Sequence, residues 1–265
     1  MNQHWHWQTW QDRSYLTCEL LAKWQHGFFT RDFYPQTPEV LTSILHPTST
    51  AFRVKQVHGN IVLTPQEIFQ TCAGTPDKNN DLPLAEADAV VSDRPNQSVW
   101  AASADCTPIL IGDTKTGKVC SIHAGWRGTA AKIVVRAVSR LIGFDTQLAD
   151  LRVGIGPAIS GSMYQVDDAV ALKVARSLIP NQAIEDEAAI GKLSCLPNAP
   201  VLEDSLPGKK RLDVPRINQM QLEQLGLDPT QIAIAPYCTF KERQKFFSYR
   251  RTGEKQVQWS GIVSD

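Results

Sequence analysis

The chain has 265 residues and 42% hydrophobic content, enough to bury a large core, and it contains no apolar run long enough to span a bilayer. Its 27 Lys and Arg residues balance its 27 Asp and Glu residues, which argues against a non-specific nucleic-acid binder. The six cysteines include no Cys-x-x-Cys pair and the N-terminus has no secretory pattern, so we expect a reduced, cytoplasmic protein.

Strands dominate the predicted elements of the first half of the chain. Alternating apolar and polar residues, with aromatic residues among them, predict strands at 4–7, 16–21, 51–57 and 61–63. Residues 71–82 collect Gly, Pro, Asp and Asn, a composition typical of a loop. Further apolar runs occur at 87–91, 98–104, 109–111 and 119–122. The last two flank a Gly-containing turn, which predicts a hairpin.

Three helices are predicted in the second half from their start and stop signals. They cover residues 129–142 with Gly143 as the stop, 168–178 with Asp167 as the cap, and 214–225 between Asp213 and Gly226. Strands are predicted at 151–155 and 231–235, and the Pro-containing, acidic segment 181–210 is predicted to be rich in loops. We therefore expect one α+β domain over residues 1–265, with mixed sheets.

Three segments place a soft-metal ligand beside an apolar strand and a turn. These ligands are His58, Cys106 and His123. Imidazole and thiolate suit zinc, and three protein ligands leave the fourth position open, as in catalytic zinc sites. The residues alone also fit a buried cysteine with two turn histidines, or a cysteine nucleophile paired with a histidine base.

Charged residues near these segments are candidate substrate contacts. Arg127 stands at the predicted mouth of a helix, where free N–H groups attract anions such as phosphate; a surface ion pair is the common alternative. Arg250 follows three aromatic residues and can hold phosphate or stack on a base; a solvated, cationic strand end is the alternative. Asp88 and Asp105 end apolar runs, where a carboxylate is either a turn residue or a group that holds a heterocycle nitrogen.

Ordered motifs over most of the chain resemble those of the YfiH-like family. They lie at residues 26–31, 56–59, 87–91, 104–110, 123–129, 155–157, 164–166, 237–239 and 246–251. This family has been described as multicopper polyphenol oxidase or laccase, and later as purine nucleoside phosphorylase with adenosine deaminase activity. The resemblance implies a single-domain layered α/β sandwich with mixed β-sheets.

The resemblance also implies a site. It places zinc, with copper as a second candidate, on His58, Cys106 and His123. It implies catalytic roles for Cys106, His123, Asp105 and Arg127, and substrate contacts from Arg31, Gln56, Asp88, Ser248 and Arg250. The implied substrates are phosphate and a purine nucleoside, namely adenosine, inosine, guanosine or methylthioadenosine, with no nucleic-acid or membrane partner.

The chain departs from the family pattern in two places. The Gly-rich piece and the Ser-Leu-Asn motif that usually follow Arg31 are missing, and Lys255-Gln256 replaces a Gly-Arg pair. No His-x-Glu motif is present, so Asp105 would have to carry the proton shuttle of a deaminase.

Three other functions compete with a purine nucleoside enzyme. A copper polyphenol oxidase needs a His-rich trinuclear cluster and a separate copper site, and the chain has six histidines in all. A hydrolase or deamidase would use Cys106 and His123 without metal. A metal-binding module would have an occupied site and no turnover.

Overall fold

The computed structural model describes residues 4–72, 84–179 and 185–265. The strands, in chain order, are β1 (Trp5–Trp10), β2 (Arg13–Cys18), β3 (His26–Phe29), β4 (Thr50–Phe52), β5 (Val62–Leu63), β6 (Ala89–Val91), β7 (Gln97–Ser103), β8 (Thr107–Asp113), β9 (Val119–Ala124), β10 (Leu151–Ile155), β11 (Gln165–Asp167), β12 (Val201–Glu203), β13 (Lys209–Leu212), β14 (Ile232–Ile234) and β15 (Gln258–Val263).

The helices are short to medium in length. They are α1 (Pro38–Leu45), α2 (Pro65–Cys72), α3 (Trp126–Ala130), α4 (Ile133–Ile142), α5 (Asp168–Leu178), α6 (Asp186–Ser194), α7 (Val214–Leu225) and α8 (Tyr249–Thr252). Short 3₁₀ segments lie at Glu19–Leu21, Arg31–Phe33, Leu148–Asp150 and Pro229–Gln231. None of the helices in the described residues is long and apolar enough to cross a membrane.

Within the described residues, the strands form three sheets. The first has the order β1-β2-β3-β15-β7-β4, the second β14-β10-β8-β9-β6-β5, and the third, smaller sheet β11-β13-β12. The pairs β4/β7, β5/β6 and β10/β14 are parallel, whereas the other pairs are antiparallel. The two large sheets are therefore mixed, as the sequence predicts, and the small third sheet is antiparallel.

Alternating side chains of the two large sheets supply three apolar layers. Leu16 and Phe28 of the first sheet pack with Leu110 of the second between the two sheets. On the outer face of the second sheet, Ile109 and Ile122 pack with apolar residues of α4 and α7. The outer face of the first sheet is covered by α1. This α/β/β/α arrangement confirms the layered sandwich that was expected.

Two predicted helices are confirmed, and a third is wrong in its extent. Helices α5 and α7 have the predicted bounds, and Asp213 caps α7 by accepting a hydrogen bond from the backbone N–H of Arg216. The helix predicted at 129–142 instead begins at Trp126 and is divided into α3 and α4. Lys132 separates the two because its backbone is left-handed, with φ of 59°.

Other predictions were wrong because local composition did not reveal tertiary packing. The segment 181–210 contains α6, β12 and the first half of β13, and Leu193, Val201 and Leu212 pack against α5. The strand predicted at 51–57 is limited to β4, and β15 was not predicted. Most of the loop predicted at 71–82 lies outside the described residues, and its first two residues end α2.

Gly156 lies just beyond β10, where the backbone passes against the ring of Phe28. A Cβ at this position would lie 2.2 Å from Phe28 Cδ1 and 3.1 Å from Pro108 Cγ. We expect Gly156→Ala to lower the free energy of unfolding by about 1–3 kcal/mol, because a buried ring would have to move. Urea denaturation measures this effect. Gly191→Ala on α6 is the control, since the added carbon meets nothing within 4 Å. Equal stability changes in the two variants would contradict the prediction.

Candidate metal centre

The candidate site lies at one end of the second sheet. Strand β9 ends there, and its antiparallel neighbours β6 and β8 begin there, since Ala124 pairs with Thr107 and Ile122 pairs with Ala89. The loop at 57–61 leads into β5, which runs parallel to β6. Segments that are distant in sequence are thus brought together by the register of the sheet.

His58, Cys106 and His123 meet at this end. Each offers one ligand atom, and the three atoms all lie within 4.8 Å of one another. The imidazole rings are 4.7 Å apart and inclined at 81°. Tetrahedral zinc with bonds of about 2.0–2.3 Å needs ligand atoms roughly 3.5 Å apart, so the donors fit after a small contraction. A Cβ on Gly125 would lie 3.0 Å from Cys106 Sγ, so glycine leaves the space that this cluster occupies.

Asp88 organises two of the three candidate ligands. Its carboxylate accepts hydrogen bonds from the backbone N–H groups of Val57, His58 and Gly59, at 3.3, 2.9 and 2.6 Å. It also accepts the Nδ1–H of His123 at 2.8 Å, which leaves Nε2 of that ring for a metal. Burial by itself raises the pKa of Asp88, but these hydrogen bonds outweigh burial and lower it. The carboxylate therefore stays ionised and holds the His58 loop against His123.

Half-buried Cys106 and buried His123 influence each other's protonation. Burial by itself raises the pKa of the Cys106 thiol, but hydrogen bonds and charge from His123 and His58 outweigh it and lower the pKa. Burial by itself lowers the pKa of His123, whereas Asp88 and Cys106 outweigh it and raise the pKa. The pair therefore favours a thiolate, which is the form of cysteine that binds metals and attacks electrophiles.

Asp105 connects the cluster to the C-terminal segment. Its buried carboxylate accepts hydrogen bonds from Thr239 Oγ1 at 2.6 Å, Ser248 Oγ at 2.9 Å and the Arg250 backbone N–H at 2.7 Å. The backbone of Asp105 has φ of 89°, which side-chain-bearing residues rarely adopt. These bonds hold the strained turn that presents Cys106.

Two arginine–aromatic pairs lie near the cluster. The Arg127 guanidinium lies 4.4 Å from the ring centroid of Trp126, and the Arg250 guanidinium lies 4.9 Å from that of Tyr164. Both arginines are exposed. Trp126 and Tyr164 line a cavity of about 40 Å³ together with Asp105 and Cys106. Burial, with a further contribution from Cys106, raises the pKa of Tyr164 to about 12, so its phenol stays protonated at neutral pH.

Arg127 lies inside a helix and not at the helix mouth predicted from the sequence. Because α3 begins at Trp126, Arg127 lies in its first turn rather than before the helix, and α3 has only five residues. Any attraction of an anion must therefore come mainly from the guanidinium and not from a long helix dipole.

The other residues predicted to contact substrate already interact with other parts of the protein. The side-chain amide of Gln56 pairs with both backbone groups of Ala102, at 2.7 and 2.8 Å. Arg31 donates to the carbonyl of Arg243 and lies 4.7 Å from the Phe247 ring. Ser248 is buried against Asp105. Trp126, Tyr164 and Thr239 were not among the predicted site residues, although each lies in a motif that resembles the family's.

The molecule is thus an α/β/β/α protein. At the end of one sheet it has a metal-type cluster, the three potential metal ligands His58, Cys106 and His123. Residues 37–264 match the family described as multi-copper polyphenol oxidoreductase laccase, and the chain belongs to this family. The expected membership of the YfiH-like group is confirmed by this match and by the relatives.

A relative from Synechocystis sp., named purine nucleoside phosphorylase, is 53% identical over 98% of this chain and 97% of its own. The solved structure of YlmD from Geobacillus stearothermophilus is 25% identical, with a TM-score of 0.75, over 97% of this chain and 98% of that chain. The structure of the Bacillus licheniformis hypothetical protein YfiH has the same fold, with 24% identity and a TM-score of 0.73 over 95% of this chain and 96% of that chain.

Proposed function

We propose that the protein is a zinc-containing purine nucleoside phosphorylase with adenosine deaminase activity, acting as one cytoplasmic domain over residues 1–265. The proposal is carried by one observation: the His–Cys–His cluster lies beside two exposed arginines that are paired with aromatic rings. The name of the 53% identical relative supports it. The free cysteines agree with a reducing compartment.

Phosphorolysis requires phosphate to attack the anomeric carbon of the ribose while the bond to the purine breaks and the purine takes a proton. In this proposal, Arg127 and Arg250 hold the phosphate oxygens, since guanidinium groups bind phosphate with paired hydrogen bonds. The cavity of about 40 Å³ is too small for a whole nucleoside, so the substrate lies across its mouth. The protonated phenol of Tyr164 is then the neutral hydrogen-bond donor next to the substrate.

The proposed role of Asp105 is positioning. Three donors already occupy its carboxylate, so it is better placed to hold the turn at Cys106 than to shuttle a proton. Zinc bound by His58, Cys106 and His123 would supply a Lewis acid that activates water near neutral pH, the chemistry that adenosine deamination needs. Asp88 would keep His123 in the tautomer that binds the metal through Nε2.

The activity test compares inosine and adenosine with and without phosphate, and the bases are read by chromatography. We expect phosphate-dependent release of hypoxanthine or adenine. In Arg127→Ala, kcat/KM for phosphate should fall about 10- to 100-fold, the effect of losing a charged hydrogen bond. Arg136→Ala, an exposed arginine on α4, is the matched control and should behave as the parent protein. Base release that needs no phosphate, or an unchanged Arg127→Ala, would rule out this phosphorylase site.

A hydrolase without metal is the second candidate. The lowered pKa of Cys106 beside His123 favours it, because this pair resembles a nucleophile with its base. Rapid alkylation of Cys106 in chelator-treated protein, together with undiminished turnover, would support it. A multicopper oxidase is disfavoured, since the described residues form a single cluster of three or more metal-type donors.

A further inference from the structure

Helix α3 is too short to fix its own position. It has five residues, and the left-handed backbone of Lys132 separates it from α4. A helix of this length is unstable by itself in water, so its place depends on the contacts it makes. Arg127 and Trp126 both lie on α3, and Trp126 lines the cavity over Cys106. The contacts that hold α3 therefore also set the position of these two residues.

Two buried amides of α7 hold α3 at Thr129. Asn218 Nδ2 donates to Thr129 Oγ1 at 3.0 Å and to the carbonyl of Val214 at 2.9 Å. Gln221 Nε2 donates to the carbonyl of Thr129 at 2.9 Å and to Ser177 Oγ at 2.8 Å. Carbonyl oxygens only accept, so the NH₂ end of each amide must be the one that faces them. Asn218, Gln221 and Thr129 are no more than 1% exposed.

Amide side chains at these two positions carry a cost. Their neighbours Ile217 and Leu222 on α7 belong to two apolar clusters. Asn218 Oδ1 and Gln221 Oε1 are buried and accept from no other described residue, a cost that apolar side chains would avoid. The amides therefore contribute through their NH₂ groups, and both of these groups bond α3.

Arg127 itself has no anchor other than its helix. Within the described residues, its guanidinium makes no hydrogen bond or ion pair and contacts only the ring of Trp126. Arg250, by contrast, donates from Nη1 to the carbonyl of Gln165 at 2.7 Å. Burial raises the pKa of Tyr164, and the charges of Arg250 and Arg127 oppose this effect, so both guanidinium groups lie near the same phenol. The place of Arg127 at this phenol thus depends on α3.

Helix α3 also contacts the loop that carries His58. A Cβ on Gly128 would lie 2.8 Å from the carbonyl oxygen of Gly59. The loop has an anchor of its own, because Asp88 accepts three of its backbone N–H groups. A displacement of α3 would therefore move Arg127 and leave the main anchor of the His58 loop in place.

We propose that Asn218 and Gln221 are positioning residues of the phosphate site, which hold α3 so that Arg127 faces the bound anion together with Arg250. They act through Thr129 and contact neither phosphate nor nucleoside. The inference rests on the proposed function, since it requires phosphate at Arg127.

Phosphate binding tests this role without turnover. Isothermal titration calorimetry measures the Kd of inorganic phosphate for the zinc-containing protein. Asn218→Leu and Gln221→Met keep the size of the side chain and remove the donor. Each should raise the Kd about three- to tenfold, the effect of losing a neutral hydrogen bond. Gln224→Met is the matched control and should bind phosphate as the parent does, because Gln224 lies on the same helix but donates to Leu178.

A second set of variants tests whether the effect passes through Arg127. In an Arg127→Ala background, Gln221→Met should raise the Kd no further, whereas a general loss of structure would weaken binding again. Thr129→Val removes the bond to Asn218 from the side of α3 and should match Asn218→Leu, even if the latter does not fold. Thr129→Ser keeps the hydroxyl and should restore tight binding. Zinc content should stay stoichiometric in all of these variants.

The outcomes separate the positioning role from the proposed function. A parent-like Kd in Gln221→Met and Thr129→Val would overturn the positioning role, even if base release requires phosphate. A further loss of affinity in the Arg127→Ala background would also overturn it. If phosphate binding depends on these residues but no base is released from nucleosides, the positioning role is supported and the phosphorylase is refuted. A parent protein that binds no phosphate would overturn both.

Discussion

Asp88→Asn is expected to weaken zinc binding about 10- to 100-fold, although Asp88 is not itself a candidate ligand. Oδ1 of Asp88 accepts hydrogen bonds from His58 N and His123 Nδ1, and Oδ2 accepts from Gly59 N and Val57 N. An asparagine amide has one oxygen, so in either orientation its NH₂ group faces two donors. The loop that carries His58 and the ring of His123 then lose their common anchor. Competition with a chromophoric chelator measures the affinity.

Two other variants set the scale of this result. His123→Ala removes a proposed ligand, so it should purify without stoichiometric zinc. This variant shows the result expected when zinc binding is lost completely. Asp145→Asn changes an exposed aspartate in the turn after α4 and should leave zinc affinity unchanged. Parent-like zinc affinity in Asp88→Asn would show that the carboxylate does not organise the site. Stoichiometric zinc in His123→Ala would contradict the ligand assignment itself.

The Asp88→Asn variant should also change how stability depends on pH. Because the folded-state pKa of Asp88 is lowered, its carboxylate contributes stability above the unfolded value of about 3.9. That contribution is lost as the pH falls through the lower folded-state value. Asparagine removes it, so the stability difference between parent and variant should be largest near neutral pH and shrink in acid.

Asp105→Gly is expected to destabilise the protein by about 3–5 kcal/mol, because three hydrogen-bond donors lose their acceptor and a buried donor left unsatisfied costs about 1–3 kcal/mol. Glycine adopts φ of 89° without strain, so the substitution relieves the backbone while it deletes the carboxylate. Thr239, Ser248 and the backbone of Arg250 lose their shared acceptor. Urea denaturation measures the loss, and base-release assays should show a raised KM because Arg250 is no longer positioned.

Asp105→Asn separates the two roles of this residue. Asparagine also tolerates a left-handed backbone, and its oxygen can still accept from Thr239 or from Ser248 and Arg250. We expect an intermediate loss of stability in this variant. If Asp105→Gly were as stable as the parent, the position would matter only for its backbone conformation, and the stabilising role of its carboxylate hydrogen bonds would be refuted.

Local signals in the sequence predicted the elements that depend on neighbouring residues. Helix α7 has its cap, its proline and its glycine stop within its own segment, and the hairpin of β8 and β9 is set by the turn between them. The break at Lys132 was not predictable in this way, because the segment from Thr129 to Ile142 has an uninterrupted helical pattern. Its division depends on α7, where Asn218 and Gln221 hold Thr129 through hydrogen bonds.

The residue types of the candidate site were predictable, but the hydrogen bonds that connect its residues were not. Imidazole and thiolate donors suggested His58, Cys106 and His123, and the family resemblance selected them from the alternatives. Asp88 was expected to contact substrate, whereas the structure directs its carboxylate to the metal-type cluster. Such a role depends on the register between β6 and β9, which no local pattern of residues reveals.

Strand β15 lies between β3 and β7 in the first sheet, yet it follows every other strand in chain order. During synthesis, β3 and β7 emerge long before the strand that joins them. At about 5–20 residues per second, the interval between Ser103 and Gln258 lasts on the order of ten seconds. Throughout that time both strands present open N–H and C=O groups to neighbouring chains. The nascent chain is therefore exposed to aggregation through two strands that the finished protein pairs, and its need for chaperones should depend on the rate of translation.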